Sequence, residues 1–201
     1  MRFPLDIGID LDGCLYPFAE VMRSWAAGST GHALPEAREW AFWKSEWGFS
    51  DDEFEKLRSQ GSALGVVYQS GVPDVQVLSA MRRLADEGHR LHVISSRAGD
   101  WHVDENVTRE WLWRWGVPHE TLHVVDGSKA HTAATLGVRV MLEDSIESAR
   151  QLQGVCRVVM WAMPWNETWP GERIRDGWEL ETIVAAESER IAPRGARSLE
   201  I

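Results

Sequence analysis

Hydrophobic and polar positions change rhythm twice along this chain. A short apolar run at residues 5–9 stops at Asp10-Leu11-Asp12-Gly13 and predicts a brief buried strand. From residue 18 to about 69 the pattern turns helical and aromatic, through FAEVMRSWAAG, PEAREWAFWKSEWG and SDDEFEKLRSQG. Ser50 followed by Asp51, Asp52 and Glu53 marks a helix start, a hydroxyl cap with acids against the positive end of the helix. Gly61, Gly65 and Gly71 punctuate the return. Strand and helix patterns then alternate. Residues 74–88 predict a helix with Val75, Leu78, Met81 and Leu84 on one face, ending at Gly88. A strand follows at 90–95, then a helix at 104–116 with Asp104 as cap and Gly116 beyond its end. The remainder reads as strand 122–126, helix 128–137, strand 138–144, helix 145–154 and strand 156–161. Such alternation predicts an α/β fold, a doubly wound parallel sheet covered on both faces. The expected layout is a core of residues 1–16 and 72–190, a small helical cap of 17–71 inserted after the first strand, and a frayed tail of 191–201.

Composition narrows the function classes. The 201 residues carry a net charge of −10, which argues against a nucleic-acid polymer or an anionic membrane surface, since both need a positive field. A small anionic substrate stays open if a metal and a few cations supply local positive charge. No stretch approaches the roughly 20 apolar residues of a membrane helix. The start, MRFPLDIGID, lacks the apolar run of a signal peptide. Two cysteines, Cys14 and Cys156, are too few for a disulfide framework. A cytoplasmic protein is expected. Twelve Trp against two Tyr is a strong bias, which core packing explains first.

In sheets of this kind ligands bind at the carboxyl ends of the strands. The first strand ends in Asp10 and Asp12, the second in Ser95, Ser96 and Arg97, and the fourth in Glu143 and Asp144, while Lys129 opens the helix after 122–126. Taken singly, an aspartate here is a turn or cap, a serine pair is a cap and a lysine is solvated. Together they place carboxylates, hydroxyls and a lysine on one rim. Two carboxylates as close as Asp10 and Asp12 repel each other, and a cation or acid/base work is what makes such a pair favourable.

IDLDGCL, HVISSR, Lys129 and MLEDS, in that order, resemble the four motifs of the haloacid dehalogenase superfamily of phosphohydrolases. LDGCLYPF, GVPDV, the WLWRWGVP helix, PWN and RIRDGW more narrowly resemble the 5'(3')-deoxyribonucleotidases, the 5'-nucleotidase type C family. The wider resemblance implies a Rossmann-like core and a phosphatase. Asp10 would be the nucleophile, Asp12 the general acid and then base, Ser95 a donor to the phosphate, and Lys129 the cation holding the nucleophile. It also implies Mg2+ held by the Asp10 carboxylate, the Asp12 carbonyl and the Asp144 carboxylate, with Glu143 behind them. Gly13 would let the loop pass close to the phosphate, with Ser96 beside it. Arg97 divides evenly between helping to bind substrate and pairing with a surface acid. Ser95 stands where threonine is commoner, and Glu143-Asp144 replaces two aspartates.

The cap would exclude water and choose the substrate, expected to be a small phosphomonoester and most simply a nucleotide. Trp40, Trp43 and Trp47 at helical spacing predict an inner packing face. Phe42, off that face, and Trp43 are then the candidates to stack on a base, with Tyr16 and Phe18 beside the catalytic loop. Surface positions are expected for His32 and His131. Trp111 and Trp115 share a face with Val107 and read as core, and Trp113 is the candidate for a homodimer patch. Two alternatives compete with a nucleotidase: a phosphatase for another metabolite such as a sugar phosphate, and a non-catalytic binding protein that keeps the fold.

Overall fold

The first strand owes its central place to side chains that fit both faces of a sheet. In the computed structural model, which describes residues 3–98 and 103–191, β1 (Asp6–Ile9) pairs in parallel with β2 (Arg90–Ser95) on one side and β4 (Val140–Glu143) on the other. Adding β3 (Thr121–Val124), β5 (Arg157–Trp161) and β6 (Arg173–Ile174) gives a six-stranded parallel sheet in the order β3-β2-β1-β4-β5-β6. Successive side chains alternate between faces. Ile7, Ile9, Leu91, Val93, Val140 and Leu142 join the larger core, and Ile94 and Met141 the smaller one. Gly8 faces that second layer, where an added Cβ would lie 2.3 Å from Met141 Sδ. The fold is α/β and doubly wound.

The larger core is covered by α4 (Val75–Asp86) and α8 (Gly177–Ile191), the smaller by α6 (Ala130–Leu136) and α7 (Ile146–Leu152). The α4 helix begins at an Asp74 cap that accepts two amides. Its inner face is Val77, Leu78, Ala80, Met81 and Leu84; Val75 is 72% exposed because it precedes the first inward turn. Helix α5 (Glu105–Trp115) runs from the Asp104 cap to a left-handed Gly116, burying Trp111 completely and leaving Trp113 exposed. Two-residue β6 is too short for any alternation to reveal. The expected tail lies outside the described residues apart from Ile191, which ends α8.

Between β1 and α4 lie α1 (Phe18–Thr30), α2 (Phe42–Ser45) and α3 (Asp51–Ala63). Ser50 and Glu53 form a reciprocal capping box at the start of α3. The helical pattern over 35–48 is a correction: only four residues form a helix there. Contacts that fold this segment back on itself overrule the periodicity. Trp47 Nε1 donates to the Pro35 carbonyl at 3.1 Å, the Arg38 amide is held by the Glu46 carboxylate, and Phe42 sits 4.5 Å from the Trp47 ring. So Trp40, Trp43 and Trp47 share no stripe. Trp47 is buried, Trp43 half-buried, and Trp40 is 53% exposed.

Candidate active site

Parallel strands in register stop at one rim, which is why residues far apart in sequence meet here. Asp10 follows β1, Ser95 ends β2, Lys129 caps α6 after β3, and Asp144 follows β4. They line one cavity of about 460 Å3, together with Asp12, Gly13, Ser96, Phe18, Phe42 and Trp43. The charges on its floor are almost wholly buried, with Asp10 at 5%, Lys129 at 4% and Asp144 at 2% exposure. Buried charges survive only if paired. Lys129 Nζ meets Asp10 Oδ1 and Glu143 Oε1, each at 2.6 Å. Asp10 Oδ1 also accepts the Leu11 amide at 2.6 Å, whereas Oδ2 receives neither contact.

Glu143 is a positioning group rather than one that faces the cavity. Its Oε2 accepts the amides of Asp144 and Ser145 at 2.7 and 2.9 Å, so both of its oxygens are committed. Two other buried atoms are left over: Ser95 Oγ and Asp144 Oδ1 have no hydrogen-bond partner among the described residues. Orphaned polar atoms on a cavity wall are places for a ligand.

Electrostatics point the same way. Burial, with Glu143 nearby, pushes the Asp10 carboxyl up to about 8 despite the pull of Lys129. Burial and the charges of Glu143 and Asp10 hold Asp144 well above the carboxylate range. Burial opposes the Lys129 charge, but Asp10 and Glu143 outweigh it and raise its pKa. Burial is likewise outweighed at Glu143, which Lys129 keeps ionised. A cation would release the proton that this crowding retains.

A divalent metal can be tested against the donors. Ligand atoms of Asp10, Cys14 and Asp144 lie within 4.8 Å of one another. Among the described residues no backbone amide donates to the Asp12 carbonyl. Gly13, at φ +83°, leaves the space open, since a Cβ there would sit 2.0 Å from Asp144 Oδ2. Carboxylate and carbonyl oxygens suit Mg2+. The residues fit.

Two expectations for substrate contacts fail. Tyr16 is fully buried below the loop; its hydroxyl donates to the Val67 carbonyl at 2.6 Å and its ring packs edge-on against Trp111. Arg97 is also fully buried and reaches neither solvent nor cavity; it pairs with Asp12 through two 2.7 Å bonds. The acid it pairs with is Asp12, in the loop that follows β1 and on the cavity lining, not a surface one. Ser96 is exposed, its hydroxyl 3.4 Å from the Gly127 carbonyl. His32 and His131 are exposed.

The roof is aromatic. Phe42 contributes a wall but is only 5% exposed, its ring engaged by Trp43, Trp47 and Phe54. Trp43 lies face to face with Phe54 at 4.6 Å, and its indole nitrogen donates to Asp51. Phe18 stacks on Tyr68 at 5.8 Å. Two rings that periodicity did not single out for the cavity are Trp40 and Trp165, which also line it and meet edge to face at 6.3 Å. Trp165 follows β5 in a single 3-10 turn, Pro164–Asn166, and its Nε1 donates to Asp144 Oδ2 at 3.0 Å. Only the PWN triplet hinted at it.

No family model matches the chain, and no curated protein sequence does. Solved structures do match. A haloacid dehalogenase-like hydrolase from Streptococcus pneumoniae superposes with a TM-score of 0.64 at 11% identity, over 90% of this chain and 98% of that one. A predicted phosphatase from Clostridium acetobutylicum gives 0.63 at 11% identity, over 90% and 98%. A predicted phosphoglycolate phosphatase from Haemophilus somnus gives 0.58 at 18% identity, over 91% and 98%. What this chain shares with these hydrolases at such identities is the fold.

Proposed function

We propose that the protein is a magnesium-dependent phosphomonoester hydrolase working through an aspartyl-phosphate on Asp10. The observation that carries this reading is the floor of the cavity: an aspartate whose Oδ1 is held by Lys129 and the Leu11 amide while Oδ2 takes neither contact, on the same cavity lining as the orphaned hydroxyl of Ser95. Asp10 Oδ2 attacks phosphorus as the ester P–O bond breaks, and protonated Asp12 gives its proton to the departing oxygen. Asp12 then takes a proton from the water that attacks the phosphoaspartate, which frees inorganic phosphate and restores Asp10. Ser95 donates to a phosphate oxygen, and Lys129 fixes the nucleophile while offsetting charge on the transferring group. Mg2+, held by Asp10, the Asp12 carbonyl and Asp144, would neutralise phosphate charge; Glu143 keeps Lys129 and the Asp144 backbone in place. Residues 17–71 act as the cap.

For the substrate we infer a flat leaving group, with a nucleoside monophosphate as the fitting class. Trp40, Trp43 and Trp165 supply ring faces and edges, while Ser148 and Gln151 on the lining of the same cavity offer hydrogen bonds to a base edge. A second reading, a small non-aromatic metabolite, is favoured by Phe42 and Trp43 being spent on Phe54 and by the phosphoglycolate named for two fold neighbours. A panel of phosphomonoesters with Mg2+ and an inorganic-phosphate readout decides. Nucleotide turnover at least about tenfold more efficient than that of glycolate or sugar phosphates supports the first reading, and the reverse order supports the second. No turnover of any ester overturns the hydrolase reading and favours a binding protein.

A further inference from the structure

Arg97 has a place in the molecule that the hydrolytic scheme leaves unused. A buried guanidinium is costly unless its donors are answered, and here they are. Nε reaches Asp12 Oδ2 at 2.7 Å, Nη2 reaches Asp12 Oδ1 at 2.7 Å, and Nη1 reaches Thr108 Oγ1 at 3.1 Å. The guanidinium also lies over two aromatic rings. The guanidinium carbon is 4.8 Å from the centroid of the Tyr16 ring and 4.8 Å from that of Tyr68.

Those two tyrosines stand where the chain leaves the α/β core and where it returns. Tyr16 directly precedes Pro17 and α1; Tyr68 lies in the segment between α3 and Asp74. The two segments are tied together: Tyr16 Oη donates to the Val67 carbonyl and accepts the Gly71 amide, and Trp111 Nε1 donates to the Gly71 carbonyl. Tyr68 reaches outward as well, its hydroxyl accepting Arg58 Nη1 of α3 at 3.0 Å. A continuous chain of contacts thus runs from the cap helix through Arg58, Tyr68 and Arg97 to Asp12.

We propose that Arg97 is a positioning residue for Asp12, and that it sets this carboxylate according to the position of the cap. The proposal rests on the hydrolase reading above. A two-pronged guanidinium bond fixes the carboxylate plane as well as its position, while the Asp12 side chain keeps 17% exposure on the cavity side. The remaining lone pairs of Asp12 are therefore aimed at one place. Movement of α3 shifts Tyr68, which removes one of the two ring contacts of the guanidinium and loosens that aim. Proton delivery to the leaving oxygen then depends on cap position without any cap residue touching Asp12. A phosphate-binding role for Arg97 is excluded by its complete burial and its three engaged nitrogens.

The test separates proton delivery from general damage. Phenyl phosphate and p-nitrophenyl phosphate have similar shapes, but phenolate needs a proton on departure far more than p-nitrophenolate does. The kcat/KM values, which report the step that expels the leaving group, are compared for wild type, Arg97→Met, Arg97→Lys and Tyr68→Leu with Mg2+ present. Arg97→Met is expected to lose about a hundredfold on phenyl phosphate and less than about tenfold on p-nitrophenyl phosphate. Arg97→Lys recovers part of the difference, and Tyr68→Leu shows the same selectivity with a smaller loss. Equal losses on both esters, or none, overturn the proposal. Should Arg97→Met not fold, Tyr68→Leu keeps the ion pair and carries the same comparison. A wild-type protein inert on both esters overturns the hydrolase reading and this inference with it; an active wild type with unselective variants overturns this inference alone.

Discussion

The floor and the roof of one cavity are built on opposite terms. On and just behind the floor, Asp10, Lys129, Glu143 and Asp144 are at most 5% exposed, and their contacts are ion pairs and N–H hydrogen bonds of 2.6 to 3.0 Å. On the roof, Phe42, Trp43, Trp47 and Phe54 meet ring to ring at 4.5 to 6.0 Å, and Trp40 projects with half its surface free. Hydrogen-bonded charges in a low dielectric tolerate little displacement. Apolar rings tolerate exchange if volume is kept. On the proposed hydrolase reading, the chemistry would be specified rigidly and the choice of leaving group loosely. Substitutions should divide along that line.

The largest effect is expected at the floor. Asp10→Asn should cut turnover by at least about a thousandfold, because an amide is a far poorer nucleophile than a carboxylate. The melting temperature should hold or rise, since one of the crowded acids is gone. Near-wild-type phosphate release would remove Asp10 from the nucleophile role.

The roof should split into two kinds of residue. Trp40→Ala is expected to lower kcat/KM for a nucleoside monophosphate by roughly ten- to a hundredfold, the worth of one lost stacking contact, and to leave p-nitrophenyl phosphate nearly unchanged. Phe42→Ala should instead destabilise the protein by about 3–5 kcal/mol, as for a buried Phe, measured by denaturant unfolding. Trp40→Ala slowing both esters alike would show that Trp40 holds the cap in place rather than reading the substrate.

The smallest effect is a pH dependence of stability that only the floor should show. With chelator present, Asp10 has a folded pKa near 8 against an ordinary 3.8. A raised carboxyl favours the protonated fold, so its contribution is complete below 3.8 and is lost as pH rises through about 8. The chelated protein should therefore melt lower at about pH 8.5 than at about pH 5.5, by roughly 2–4 °C for each kcal/mol lost. Mg2+ should remove most of that slope by binding the ionised carboxylates. A flat profile for the chelated protein, or one rising with pH, would contradict the crowding described for Asp10 and Asp144.

Much of the floor was legible in the chain because its signals are local. An apolar run that stops at an acid marks a strand end. Parallel pairing such as Ile7 with Val140 and with Leu91 then brings the ends of β1, β4 and β2 to one rim. Helix starts at Ser50, Asp74 and Asp104 were equally readable, since a cap acts on amides two or three residues away. The roof is not legible in the chain, for the opposite reason. The spacing of Trp40, Trp43 and Trp47 suggests a stripe only if a helix carries them, and the packing of Phe42 with Trp47 and Phe54 left just one turn.

What the sequence determined by itself was the α/β alternation and the set of charged groups gathered at the strand ends, because both follow from short-range periodicity and the direction of parallel strands. Tertiary structure alone decided which partner each group takes. Arg97 meets Asp12 across 85 positions, Tyr16 meets Val67 across 51, and Trp165 meets Asp144 across 21. Arg97 could have reached the cavity or a surface acid with the same neighbours in sequence. Its burial against two tyrosines arises from where the chain leaves the core and where it returns, and no local pattern encodes that meeting, because the energy that selects it comes from desolvating and pairing groups that only the assembled fold brings together.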